Sequence, residues 1–388
     1  MSFRFARSFF NATGLQPNAA SGQATAHLPP RRMPGALPFH TAAIPFLLVS
    51  TAALLIPTLM AAQAPAPAAK PAKYSPPRLA DGRPDFSGFW TNNTATPLQR
   101  PDSFQGREYL RPDEVAAIEN STVRKDDTRV KGAPCAIKLR PGAVCPAADG
   151  GGPGDVGDYN AVFLESGKKV VSTLRTSIII DPKDGKLPPM SEEAKRKMDA
   201  DAAHQLDHPF DGPEDLSAAD RCLSGTGIPM LPYAYNNTYH IVQSHDFVAI
   251  VAEVMHDQRI IPVDGRPHGN VRQWMGDSVG HYAGDTLVVE TTNFNGKRGW
   301  PLLAIGKRTD GKLKITERFT RTAPDILLYQ FTVDDPGMYT RPYMGEITMW
   351  SSKDPVYEYG CHEGNYSMPL ILSGARADEQ AAATKKGK

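Results

Sequence analysis

Cysteine is scarce in this chain: four in 388 residues, at positions 135, 145, 222 and 361, with no Cys-x-x-Cys. Their spacing excludes a dithiol redox pair or a zinc knuckle. No Walker motif is present, and a nucleotide cofactor is not indicated. An excess of charge is also missing. With 43 Lys+Arg against 42 Asp+Glu the formal charge is +1, and nothing supplies the cationic stripe of a nucleic-acid binder. No internal repeat of fixed period is found, which disfavours a propeller or solenoid.

Long apolar runs are equally rare; the only one is IPFLLVSTAALLIPTLM, residues 44–60. It follows Arg31 and Arg32 and precedes the small residues Ala61-Ala62-Gln63-Ala64, and the first 62 residues carry no acid. That order predicts a signal/export segment over 1–62 rather than a lasting membrane anchor. The Ala/Pro-rich stretch 63–80 reads as an extended linker. The expected location is therefore periplasmic or secreted, with no stable membrane insertion once the signal is removed. An even number of cysteines in an exported chain favours disulfides, and the preferred pairing is Cys135–Cys145 with Cys222–Cys361.

The chain is, however, well supplied with turn formers, 35 prolines and 33 glycines, which predicts many turns and few long helices. Residues 81–230 read as an irregular region with short helices, at 112–120 and 191–206, and a strand at 174–181. From 231 to 376 the pattern changes to period two. Segments 239–243, 247–254, 258–263, 271–275, 286–292, 313–321, 326–333, 343–350 and 355–360 are rich in Val, Ile, Thr, Tyr and Phe, with turn-like separators. The expected fold is mainly β: an antiparallel meander closing as a calycin-like barrel, with a two-sheet β-sandwich as the alternative. Residues 377–388 read as a disordered tail.

Five stretches are distinctive: RPDFSGFW (83–90), HDQRIIPVDGRPH (256–268), RQWMGDSVGHYAGDTLVVETTNF (272–294), ERFTRTAPDILLYQFTVDDP (317–336) and YEYGCHEGNYSMPLILSGAR (357–376). Through them the chain resembles a large family of uncharacterised exported bacterial proteins of acidobacterial and sphingomonad type. The resemblance covers most of residues 81–376. It implies a bacterial, exported protein and lends no activity.

The candidate chemistry comes from polar residues in apolar rows. Leu313, Ile315, Glu317, Phe319 and Arg321 share one strand face, and Leu327, Tyr329, Phe331 and Val333 share another. Phe247, Ala249, Val251 and Glu253 alternate with Val248, Ile250, Val254 and His256. A buried carboxylate is costly unless paired or hydrogen-bonded, so such a barrel holds either a ligand site or an ion-pair network. His362, in Cys361-His362-Glu363, is expected to face the barrel and to meet Glu317 or Glu253. A direct contact between Glu317 and Arg321 is too long along one strand, and Arg318 or Arg321 from a neighbouring register is the structural alternative. Gly276-Asp277-Ser278-Val279-Gly280 matches the serine-hydrolase elbow, but a turn leads on to a strand where the elbow needs a helix.

Two classes of function follow. The first is an enzyme working by cofactor-independent acid–base chemistry on a small organic substrate: a lyase, isomerase or hydrolase. His362, Glu317, Glu253, His256 and Tyr329 would transfer protons, and Arg272, Arg321 and Trp274 would bind substrate. The second is a periplasmic small-molecule carrier or sensor. A metal-dependent enzyme is a further alternative, should three histidines converge; no metal or organic cofactor is otherwise expected.

Overall fold

The computed structural model describes residues 74–125, 165, 167–225, 227–233, 235–297 and 311–386. The export segment, most of the linker, and Cys135 and Cys145 lie outside the described residues. Nine strands form one antiparallel, barrel-shaped sheet: β1 (Gly88–Thr91), β3 (Thr238–Gln243), β4 (Phe247–Ala252), β5 (Gln258–Pro262), β6 (Asp277–Ala283), β7 (Thr286–Thr292), β8 (Lys314–Ala323), β9 (Ile326–Asp334) and β10 (Tyr343–Ser351). Their order is β5-β4-β3-β1-β10-β9-β8-β7-β6, and a short β2 (Ile179–Asp181) pairs with β10 beside this path. The fold is thus the expected barrel rather than the sandwich.

Closure is nearly complete. Neighbours alternate in direction through nine strands, so β5 and β6 at the two edges run the same way, and no ladder joins them. They meet through side chains at Gly280, where a Cβ would lie 3.0 Å from Ile261 and 3.2 Å from Val263. The missing side chain lets the two edges approach.

Burial alternates with period two along β4, β5, β8 and β9, as the sequence pattern requires. Trp90, Ile241, Val248, Ile250, Ile261, Leu287, Ile315, Phe319, Leu327 and Phe331 belong to one buried cluster. Both faces of β10 are covered. On the other side of that strand, Thr348 Oγ1 accepts from the Ser172 N–H at 2.7 Å, and Glu346 meets Arg175 at 3.3 Å. The segment before β2 thus coats the barrel.

Several expectations are corrected. The barrel does not begin at 231, because β1 is inserted between β3 and β10. Four residues among prolines are too few for a period to show. The strand expected at 271–275 is a loop, and the next strand is β6. The strand at 247–254 ends at Ala252, where a 3-10 turn over Val254–His256 begins. Segment 355–360 is not a strand. Of the tail expected to be disordered, residues 377–386 are the end of helix α3 (Ser367–Lys386), tied down by Arg376, which donates to the carbonyls of Phe210 and Asp211 at 3.0 and 2.9 Å. Helices α1 (Pro112–Lys125) and α2 (Glu192–Asp207) lie where the sequence placed them, and Ser191 caps α2 by accepting from the Ala194 N–H at 3.0 Å. Residues 74–80, assigned to the linker, already engage the fold: Arg78 bridges to Pro84 and pairs with Asp285 at 2.6 Å.

Candidate functional site

Inside the barrel, Glu317 on β8 is fully buried, and its partner is a third arginine, Arg259 of β5. The guanidinium is bidentate, with Nη1 to Oε2 at 2.5 Å and Nη2 to Oε1 at 3.0 Å. Tyr329 of β9 donates its hydroxyl proton to Glu317 Oε1 at 2.9 Å and accepts from the Met230 N–H at 3.0 Å. Burial works against the Arg259 charge, but the adjacent carboxylate more than offsets it and holds the guanidinium above its ordinary value. Burial, and then the Glu317 charge, push the Tyr329 phenol well above the usual tyrosine range. The phenol therefore stays protonated and acts as a donor. Each member of this triad satisfies the others, leaving a polar tie across a packed interior.

His362 does not reach this centre. The last strand ends at Ser351, the chain leaves the barrel, and the Cys222–Cys361 disulfide (Cα–Cα 5.8 Å) holds residue 361 against the loop before β3. His362 is exposed, and its ring lies 6.2 Å from that of His256, also exposed. Glu253 is buried beside them as the residue before the 3-10 turn. The two expected proton-transfer histidines thus meet each other at the barrel rim, apart from Glu317 in the interior.

The backbone at this rim is strained. Cys222, Met255 and His256 have φ of +54°, +57° and +43°, in the left-handed region that non-glycine residues seldom occupy. Asp257 organises the loop opposite: its Oδ2 accepts from Ser224 Oγ, the Gly225 N–H and the Gly227 N–H at 3.0, 2.9 and 3.4 Å. Trp274 is half-buried here, with the Arg221 guanidinium 6.0 Å from its ring. Of the other expected binding residues, Arg272 is exposed and lies against Gly311. Arg321 donates to the carbonyls of Asp85 and Pro324 and stacks on Trp90. The substrate-binding trio is therefore not gathered in one place.

A histidine–carboxylate pair that the sequence reading passed over stands where β6 begins. His268 Nδ1 is 3.0 Å from Asp277 Oδ2, and the same oxygen accepts from the Gly269 N–H at 2.8 Å. Asn293 Nδ2 donates to the Gly269 carbonyl at 2.8 Å and steadies the turn. Nε2 of the same ring is shielded from solvent and has no hydrogen-bond partner among the described residues. The signal in the sequence was the nine-residue interval from His268 to Asp277 across a Pro/Gly loop, legible only once Asp277 is known to start a strand. The neighbouring Ser278 faces the interior, bonded to Thr291 Oγ1 at 2.8 Å, so the elbow-like motif builds no nucleophile.

The remaining histidines of the barrel region are dispersed. His240 stacks on Phe89 at 4.3 Å, His245 pairs with Asp246, and His281 is exposed. Among the described residues no group of three or more His, Cys, Asp or Glu side chains is placed to hold a metal ion. Nor does any helix among them have the length and apolarity to cross a membrane. Fold and site together define a disulfide-tied antiparallel β-barrel with polar rim chemistry; bonds of that kind persist in oxidising compartments. Neither a protein-family model nor any curated protein matches the chain.

Proposed function

We propose that this is an exported enzyme that moves a proton on a small organic substrate, a lyase or isomerase, with His268 as the general base. The observation that carries this reading is the His268–Asp277 pair, whose carboxylate fixes the ring while Nε2 has no hydrogen-bond partner among the described residues; with the proton on Nδ1, Nε2 would be the accepting atom. An export segment over residues 1–62 would deliver the chain to the oxidising compartment that its disulfide requires. Carriage of an apolar ligand has less support: the interior positions are occupied by large side chains, and the charged groups there are engaged with one another.

Proton abstraction can be read without knowing the full reaction. The protein is incubated in D2O with mixtures of small organic acids, ketones and esters, and loss of substrate C–H signals is followed by proton NMR. His268→Gln and Asp277→Asn are expected to keep the fold and to slow exchange by about 100-fold or more. Exchange at the wild-type rate in a folded His268→Gln variant would reject the assignment.

A further inference from the structure

Arg221 is half-buried, and its Nε is shut off from solvent and makes no hydrogen bond to a described residue. The acids nearest in the chain and in the adjoining loop are engaged elsewhere. Asp220 Oδ2 accepts from the Ser217 N–H and Oγ–H at 3.1 and 2.6 Å, and Asp257 Oδ2 is occupied by the Ser224–Gly227 loop. No carboxylate among the described residues pairs with Arg221; Arg100 and Arg321, buried or half-buried arginines that also lack one, donate instead to Thr176 Oγ1 and to the carbonyls of Lys183, Asp85 and Pro324.

The position of Arg221 is fixed. The next residue, Cys222, is held in a left-handed conformation and bonded to Cys361, and the Arg221 N–H donates to the Ser217 carbonyl at 3.2 Å. Trp274 supplies an aromatic wall 6.0 Å from the guanidinium carbon. A cation that is partly desolvated, rigidly placed and unpaired is unfavourable unless an anion completes it. The guanidinium fork matches a planar carboxylate, and the indole offers an apolar face to the body of the molecule.

We propose that Arg221 and Trp274 form a binding site for a small organic carboxylate with a flat apolar body. This deepens the functional reading above and rests on it for one point only: that the bound acid is the substrate of His268. Trp274 lies three residues before Asp277, the first residue of β6, so one segment serves both recognition and the base.

The test is calorimetric titration of the full chain with sodium benzoate, with benzamide as the neutral control of the same shape. Benzoate is expected to bind, and benzamide to bind at least about tenfold more weakly. Arg221→Gln should weaken benzoate by about tenfold or more, and Arg221→Lys, which keeps the charge but loses the fork, by less. Thermal melts establish that each variant is folded; if Arg221→Gln does not fold, the same comparison is made with Arg221→Lys and with Trp274→Ala. Benzoate affinity and substrate C–H exchange are separate readouts of the wild-type chain, so failure of the base assignment and failure of the anion site give different results. Equal affinity for benzoate and benzamide, undiminished benzoate affinity in folded Arg221→Gln, or no benzoate binding in the millimolar range would overturn the proposal.

Discussion

Glu317, Arg259 and Tyr329 show what a buried charge requires. The carboxylate is fully inside the barrel, and its two oxygens take three hydrogen bonds. Removing the charge by Glu317→Gln leaves Arg259 desolvated and uncompensated, with an expected loss of about 3–5 kcal/mol in chemical denaturation. The pair Arg259→Met with Glu317→Leu removes both charges and strands only the Tyr329 hydroxyl. It should be less destabilised than Glu317→Gln alone. Tyrosines give a second expectation. The phenols of Tyr329 and Tyr343 are raised, by burial first, above their unfolded value near 10. Their contribution is complete below that value and is lost as pH rises through and beyond it, because only the unfolded chain then releases the protons. Stability should therefore fall steeply above about pH 10, and Tyr329→Phe should flatten the fall, as read from denaturant midpoints across pH.

Among the elements, the strands with long period-two rows were legible, and β8 and β9 carry the inward faces expected of them. The partner of Glu317 was not. Arg259 lies on a five-residue strand whose run ends in proline, and only closure brings it across the barrel. The rim was half legible: His256 and His362 stood out as chemistry, but their contact depends on the disulfide and on a left-handed turn that no local pattern announces. β10 holds a packing device of the same hidden kind. A Cβ at Gly345 would fall 2.1 Å from Phe331 Cζ, so the ring lies over bare backbone. Gly345→Ala should cost about 1–3 kcal/mol by overpacking, and adding Phe331→Leu should restore part of the loss in thermal melts.

Across the whole molecule, the Cys222–Cys361 bond closes a loop spanning 139 residues and ties the segment before β3 to the segment after β10. In the loop-entropy model a closure of that length is worth about 5 kcal/mol, so the double variant Cys222→Ser/Cys361→Ser should be markedly less stable in denaturant titrations. The bond also divides the labour of the fold. It keeps the rim in place while the Arg259–Glu317–Tyr329 tie holds the interior, and the acid–base reading places the chemistry at the rim. The most direct test is deuterium exchange from D2O, comparing His268→Gln with the interior pair Arg259→Met/Glu317→Leu, each verified as folded. Loss of exchange in the first and its retention in the second is the predicted result; retention in the first with loss in the second would move the active centre into the barrel and contradict this account.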